Sequence, residues 1–366
     1  MKRAGRFFRE QLAGLRSDEF RRLFAREAPR AYAVLSRDLP RESEPAGAVK
    51  RWWHRFKVVF KGLSAKLTPA RRTLFVVSLV AVVLGMIRFQ VDAASGSFSV
   101  DLFSIFLPVG VCGLVFLLAL ELADRVLVRD ELEVARELQR DLLPRAAPEL
   151  SGWRFAHSYR TANEVGGDYY DFVALPDGRL ALLAGDASGH GMAAGLVMAI
   201  ANAAIKLALD LDPAPPRVAE LLNRALWRTG TRRNFMSLFY GALEPESGRL
   251  DYVCAGHPFP LLRRSGGEIV ELGHGSFPLG LRESAELASQ VERIEPGDLL
   301  VVFSDGLFET RNENGEPFGY ERITAKVAGG GSAAEVHRRL LAALDLFRGD
   351  EPLVDDVSIV VVERAL

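Results

Sequence analysis

The sequence predicts an α+β chain in which a pair of membrane-type helices and a charged linker helix precede a layered sandwich. Three observations carry this. Two uncharged apolar runs fall within residues 73–120. A charged, helix-patterned segment follows at 121–143. From about residue 145, strand-like segments cluster into hairpins with helices set apart, and no regular strand–helix–strand alternation argues for a doubly wound sheet. A length of 366 residues suggests two or more structural units. Acids (47) and bases (46) nearly cancel, which excludes polyelectrolyte behaviour for the whole molecule. Two cysteines, Cys112 and Cys254, leave no disulfide framework and no cysteine–zinc cluster, as expected in a reducing compartment.

Residues 1–72 carry many arginines among scattered Phe, Leu and Trp. Short amphipathic helices are expected, for example around 7–24, with a loop at 40–47. No cleavable signal is expected, because the apolar run comes too late. Between Lys50 and Arg72 there are eight Lys or Arg and no acid, interleaved with Trp52, Trp53, Phe56 and Phe60. Such a stretch can bind nucleic acid. Its place immediately before an apolar run favours the lipid interface instead, so the expectation is a membrane partner and no nucleic acid.

The first apolar run, 73–87, is short for a bilayer, which takes about 20 residues. Letting Arg88 snorkel extends it to about 73–91. The second, 102–120, is close to full length, and Pro108, Gly110 and Gly113 are tolerable inside a membrane helix. The alternative is a buried helical hairpin in a soluble domain; the missing polar face speaks against it. A loop at 89–101 joins the runs. Positive charge ahead of the first run places the N-terminus inside, and two crossings return the chain to the cytoplasm. A multi-pass protein of the inner (cytoplasmic) membrane is expected. The helix at 121–143 carries Leu127, Val134, Leu138 and Leu142 along one side and stops at Pro144. It can pair with its twin as a coiled coil, giving a homodimer, or pack on its own domain; the two are compatible.

In residues 145–366, strands are expected at 154–159, 180–183, 235–243, 250–254, 299–303 and 357–362, and helices at 192–209, 216–229 and 333–347. The domain centres on Leu182-Leu-Ala-Gly-Asp-Ala-Ser-Gly-His-Gly191, an apolar strand running into Asp186 and a glycine-lined loop before an apolar helix. Three more sites share that context. Asp168 follows two glycines, Asp305 follows the strand at 299–303, and Asp355-Asp356 precede the strand at 357–362. Each alone reads as a turn residue or helix cap. Together, carboxylates beside apolar runs are costly to hold without a cation. Hard oxygen donors without matching His or Cys point to Mg²⁺ or Mn²⁺. Two such ions would activate a water and clamp a phosphoryl group for in-line attack. His190 and His257 sit in glycine-flanked turns, where structural hydrogen bonding is expected ahead of catalysis. No phosphate-binding loop, zinc-protease helix or nucleophile elbow is present.

Asp186-Ala-Ser-Gly-His-Gly191, Gly166-Gly-Asp-Tyr-Tyr-Asp171, Ala255-Gly-His-Pro258, Phe277-Pro-Leu-Gly280, Phe303-Ser-Asp-Gly306 and Asp355-Asp-Val-Ser358 together resemble the bacterial stage-II-sporulation-E-like and sigma-regulator serine phosphatases. These are a branch of the metal-dependent PPM (PP2C-type) phosphatases. Glu137-Leu-Gln-Arg-Asp-Leu-Leu-Pro144 fits as well, so the likeness runs from about residue 131 to the C-terminus. It implies a four-layer α-β-β-α sandwich and two Mn²⁺ or Mg²⁺ ions. By position, Asp186 would bridge the ions, with the carbonyl of Ala187 as a further ligand. Asp168, Asp305 and Asp355 would complete the shells; in the doublet the spacing to Ser358 favours Asp355, with Asp356 as the alternative. Asp186 and Asp305 are the residues on which catalysis would depend. The resemblance also implies hydrolysis of phosphoserine or phosphothreonine by a metal-activated water, with no phosphoenzyme. The implied substrate is a phosphorylated anti-sigma-factor antagonist (a STAS-domain protein) in partner-switching signalling. Rival readings are a catalytically weak phosphoprotein-binding module, a membrane scaffold, or a hydrolase of small phosphate esters.

Overall fold

A computed structural model describes residues 28–36, 47–86, 88–93, 96–101, 103–229, 234–285 and 287–366. The helix expected around 7–24 and most of the loop expected at 40–47 lie outside the described residues. The chain divides into two compact units at Leu127/Val128.

The first unit opens with helices α1 (Ala28–Ser36), α2 (Ala48–Lys66) and α3 (Pro69–Gly85). Pro69 separates the last two. It forces Thr68 into an extended conformation and then starts α3 as an N-terminal proline should. Arg72 seals the junction, its guanidinium donating to the carbonyls of Ser64 at 2.8 Å and of Ala65 and Leu67 at 3.4 Å. Strands β1 (Arg88–Ala93) and β2 (Gly96–Asp101) then form an antiparallel hairpin, and α4 (Phe103–Leu142) follows.

Within this unit α3 runs antiparallel to the first part of α4. Glycines set the approach: a Cβ on Gly110 would lie 2.6 Å from the Ser78 carbonyl oxygen, and one on Gly85 would lie 2.6 Å from the Leu107 nitrogen. Small residues at a helix–helix contact are the means by which apolar helices pack tightly without a hydrophobic drive. At one end of the pair Arg71 bonds Glu121 at 2.9 Å and Asp124 at 2.6 Å. Val77, Val80 and Val83 on α3, and Ile105, Val109 and Phe116 on α4, point outward and are exposed.

The first apolar helix is shorter than expected. It ends at Gly85 and does not reach Val91, and the expected loop at 89–101 is the β1–β2 hairpin. The reason is visible in Arg88-Phe-Gln-Val-Asp92, where polar and apolar residues alternate with the period of a strand. The second run lies inside α4, which continues without a break into the charged segment and stops ahead of Pro144. Among the described residues, two stretches have the length and composition to cross a membrane: residues 105–142 and Met192–Leu211. The latter is a core helix of the second unit, as its buried face shows below.

The second unit is built on two five-stranded antiparallel sheets. One has the order β10-β7-β6-β5-β4, from Gln290–Arg293, Arg249–Ala255, Met236–Leu243, Leu180–Ala187 and Asp168–Ala174. The other has the order β3-β12-β11-β8-β9, from Trp153–Arg160, Val357–Arg364, Leu299–Phe303, Leu261–Arg263 and Ile269–Glu271. Leu182, Phe239 and Leu250 of the first sheet meet Leu262, Val302 and Val360 of the second in a shared core. The opposite face of the first sheet (Leu183, Leu238, Tyr240) is covered by α5 (Met192–Leu211) and α6 (Pro215–Arg228) through Met198, Ile205 and Leu222. The opposite face of the second (Val301, Ile359, Val361) is covered by α8 (Tyr320–Ala328) and α9 (Ala333–Arg348) through Ile323, Val336 and Leu340.

The result is helices, sheet, sheet, helices, as expected. Because both faces of β5, β11 and β12 are buried, their sequences read as unbroken apolar runs. Each fully buried Leu, Ile or Phe contributes roughly 1.5–3 kcal/mol. The apolar core leaves its polar residues at the strand ends, and one rim collects the acids.

Candidate metal centre

The first sheet brings two carboxylates side by side. Asp168 opens β4 and Asp186 lies near the end of β5, and the antiparallel register pairs them directly. Asp168 is 1% exposed, and its Oδ2 has no hydrogen-bond partner. Behind Asp186, the backbone N–H donates to Ser237 Oγ at 3.1 Å, and that hydroxyl lies 2.9 Å from His257 Nδ1. After Ala187 the chain turns through Gly189 (φ 98°) and Gly191 (φ 64°), the left-handed region where glycine is unstrained, and enters α5.

Gly167 leaves a cradle in front of this turn. A Cβ there would stand 2.8 Å from the Ala187 carbonyl oxygen and 3.2 Å from Asp186 Oδ1. A main-chain carbonyl and a carboxylate therefore face the same small space, which any side chain at 167 would fill.

The second sheet delivers its acids to the same rim, because β11 ends where β12 begins. Asp305 opens the short helix α7 (Asp305–Glu309) and is half-buried, with Oδ1 lacking a partner. Asp355 is half-buried and accepts from the Asp356 N–H at 2.8 Å with one oxygen. Asp356 is used differently. Its Oδ1 accepts from Ala162 N at 2.7 Å and its Oδ2 from Gly167 N at 2.6 Å, so backbone amides of the opposite sheet's approach loop take both oxygens. Ser304 Oγ ties the strand ends, accepting from Ser358 N at 2.9 Å and donating to the Asp356 carbonyl at 3.2 Å. The doublet thus divides its work: Asp356 pins the Gly167 cradle with both oxygens, whereas Asp355 engages one oxygen, with its neighbour's amide.

Burial, and then the neighbouring carboxylates, raise the pKa of Asp168, Asp186, Asp305 and Asp356. Burial first, then the charges of Asp305, Asp355 and Asp356, push Asp186 up to about 8. Burial, then Asp355 and Glu309, push Asp305 up to about 6. Asp168 is held well above the carboxylate range by burial and Asp186, against a hydrogen bond from Ser304. Burial raises Asp356 too, against the amides of Ala162 and Gly167. Among the described residues no lysine or arginine is ion-paired with any of them, nor do three acids close on one point as a finished chelate. Unpaired carboxylate oxygens, mutual repulsion and the carbonyl-lined cradle make a donor set that fits a hard divalent cation.

The other candidates fall out by environment. His257 is buried, its imidazole pushed down to about 3 by burial, so it is neutral and acts through its contact with Ser237. His190 is exposed in the turn and has no hydrogen bond among the described residues, in contrast to the structural bond expected of it. Burial raises the Cys254 thiol to about 12, which excludes a cysteine nucleophile there. Ser237→Ala would strand the Asp186 N–H and the His257 ring together. The expected cost is about 1–3 kcal/mol in unfolding free energy, read from the urea midpoint. An unchanged midpoint would mean the Ser237 link is idle.

Sequence reasoning missed Gln139. It is 5% exposed near the end of α4, accepts from Gly166 N at 2.9 Å and donates to Gly166 O at 2.6 Å. The Nε2 group also reaches Tyr159 OH at 3.3 Å. The signal available was a lone amide between Leu138 and Leu142 on an otherwise apolar side. Gln139 grips the backbone two residues ahead of Asp168. Gln139→Leu keeps the bulk and removes both bonds; apparent Mn²⁺ affinity is expected to fall about 10–100-fold in a metal titration. Affinity within twofold of the parent would show that the loop holds its own shape.

Two facing sheets flanked by helices, with acids gathered at one rim, define the PP2C phosphatase fold. The SiaA PP2C domain of Pseudomonas aeruginosa superposes with a TM-score of 0.60 at 21% identity, covering 66% of this chain and 98% of that domain. The family model described as Stage II sporulation protein E (SpoIIE) matches residues 176–365, and the chain belongs to that family. Among curated relatives, phosphoserine phosphatase RsbU of Bacillus subtilis is 27% identical over 245 residues, 65% of this chain and 71% of RsbU. Protein IcfG of Synechocystis is 25% identical over 280 residues, 68% of this chain and 43% of IcfG, so the match spans less than half of that relative.

Proposed function

We propose that the chain is a membrane-tethered, metal-dependent protein serine/threonine phosphatase. The observation that carries the reading is the pairing of Asp168 and Asp186 on one sheet with Asp305 and Asp355 on the other, with carboxylate oxygens left unpartnered at both. Membership of the SpoIIE family and the likeness to a phosphoserine phosphatase support it. Asp168, Asp186, Asp305, Asp355 and the Ala187 carbonyl would hold two Mn²⁺ or Mg²⁺ ions, and Asp356 would brace the cradle. When bound, such ions supply Lewis acidity and an activated water for direct attack on phosphorus. The chain's own part is positional. The β4–β5 pair fixes Asp168 against Asp186, Ser304 locks the β11–β12 end, and Gly167 keeps the approach clear of side-chain bulk.

The family resemblance supports a phosphorylated anti-sigma-factor antagonist of the STAS class as substrate, within partner-switching signalling. The apolar α3 and the first part of α4 support a two-span hairpin with both ends on the cytoplasmic side. Basic residues precede it, and Arg71 at its start meets Glu121 and Asp124 at its finish. Exposed Val134 and Leu138 on the charged half of α4 offer a face for a second copy.

The test is phosphate release from a phosphoserine STAS protein by the full chain in proteoliposomes, with Mn²⁺, with Mg²⁺ and with chelator. Release that needs the metal supports the enzyme. Metal-independent binding of the phosphoprotein without turnover would turn the reading into that of a binding module.

A further inference from the structure

The helix α2 (Ala48–Lys66) has two faces of different chemistry. At 100° per residue, Val49, Trp52, Trp53, Phe56, Phe60 and Leu63 fall within an arc of roughly 100°. Lys50, Arg51, Lys57 and Lys61 lie in the remainder, and no acid occurs from residue 48 to residue 72.

Among the described residues, most of the apolar arc is exposed. Trp52 is 63% exposed, Trp53 51%, Phe56 42% and Leu63 38%. Three of these rings are already stacked, Trp52 on Phe56 at 5.8 Å and Trp53 on Phe56 at 5.4 Å between centroids, so they present one preformed aromatic plate. The short helix α1 packs elsewhere, at Gly62, where the Leu35 backbone leaves no room for a side chain.

Two features say what covers the plate. It runs on into the apolar surface of α3, because Phe60 meets Phe75 at 5.5 Å between centroids. The Arg72 caps on Ser64, Ala65 and Leu67 tie the end of α2 to the start of α3. The flanking charge is of one sign only. An aromatic face bordered by lysine and arginine, continuous with a membrane-type helix, matches the boundary between anionic headgroups and acyl chains. A protein groove would have to be acidic and apolar at once. Nucleic acid would leave the plate's continuity with α3 without purpose.

We propose that α2 lies in the plane of the membrane as a docking face for anionic phospholipid. Trp52, Trp53 and Phe56 sit at the acyl boundary and the basic flank sits on the headgroups. This goes beyond the phosphatase reading and does not depend on it. It rests on the two-span reading only for the nearness of the bilayer.

The experiment uses the full chain in proteoliposomes of phosphatidylcholine alone or with phosphatidylglycerol, each prepared with acyl-brominated lipid that quenches nearby tryptophan. Cys112, exposed on α4, is probed in parallel with a membrane-impermeant maleimide, since Cys254 is buried. The expected result is quenching that depends on phosphatidylglycerol, is lost in Trp52→Phe/Trp53→Phe, and is largely lost in Lys50→Gln/Arg51→Gln/Lys57→Gln/Lys61→Gln. Cys112 stays protected throughout.

Protected Cys112 with no quenching, or with equal quenching in both lipids, overturns the docking face while leaving the two-span reading intact. Labelled Cys112 overturns the two-span reading, and the quenching result then decides the docking face by itself. A single-stranded oligonucleotide that shifts the Trp52 and Trp53 emission in phosphatidylcholine as strongly as phosphatidylglycerol does would also overturn it.

Discussion

Asp186→Asn and Asp305→Asn are each expected to lower metal-dependent phosphatase turnover by about a thousandfold or more. Lewis-acid stabilisation is worth several kcal/mol, and about 1.4 kcal/mol is a factor of ten in rate. The exchange is nearly isosteric, so it removes charge and a ligand oxygen without opening a cavity. The same variants separate this site from an ordinary arrangement of strand-end acids. An aspartate that merely caps a helix or turn stabilises the fold, and its loss costs about 0.5–2 kcal/mol. Asp186 and Asp305 instead have no ion-pair partner among the described residues, and burial first, then like charges, raise both of them. Their neutralisation is therefore expected to raise the melting temperature of the chelator-treated chain while abolishing turnover. Turnover within tenfold of the parent, together with a lowered melting temperature, would assign these residues to structure and sink the metal centre.

Much of this rim was legible because of where its acids stand. Asp186, Asp305 and Asp355 each adjoin an uninterrupted apolar strand buried on both faces, so charge next to such a run is conspicuous. Three things were hidden for physical reasons. The strand at Asp168–Ala174 begins and ends its polar motif with acids, and Tyr169 and Tyr170 face different cores, so neither strand alternation nor an apolar run marks it.

The choice between Asp355 and Asp356 turns on which carboxylate the amides of Ala162 and Gly167 consume, a contact made 189 residues away in the case of Gly167. Spacing to Ser358 favours Asp355 but does not show what occupies Asp356. Gln139 likewise acts on Gly166 across 27 residues, from the apolar side of a charged helix, where a lone amide marks the position but not its partner. In each case the missing information is a tertiary hydrogen bond to backbone, which leaves no trace in periodicity. The early end of α3 was legible in principle, since the alternation from Arg88 to Asp92 is local.

The same electrostatics predict an unusual response to pH in the metal-free state. Asp186 titrates near 8 in the fold, against an ordinary value of 3.8. Between those values the folded chain keeps a proton that the unfolded chain has released, so stability falls as pH rises. Asp305, raised to about 6, adds to this in the lower part of the window. His257 opposes it: held at about 3 in the fold against an ordinary 6.5, it contributes stability that grows as pH rises toward 6.5 and is constant above. His157 and His337, both lowered chiefly by burial, act in the same direction and over the same side of 6.5. The window free of the histidines therefore lies between pH 6.5 and 8, where Asp168, held well above its ordinary range by burial and Asp186, acts in the same direction as Asp186. Across it Asp186 alone is expected to cost about 2 kcal/mol, since each pH unit of differential protonation is worth about 1.4 kcal/mol. For a unit of this size that is a fall of roughly 4–8 °C in melting temperature. Mn²⁺ or Mg²⁺ should restore the lost stability at pH 8 and flatten the slope, because a cation then neutralises the carboxylates in place of protons. The Asp186→Asn chain should show a shallower slope without metal, since Asp168 stays raised by burial. Melting curves at pH 6.5 and 8, with chelator and with metal, read all three effects. A melting temperature that holds level or climbs across this window in chelator would mean that the acids at the rim are not the unpaired, mutually repelling set that a divalent cation requires.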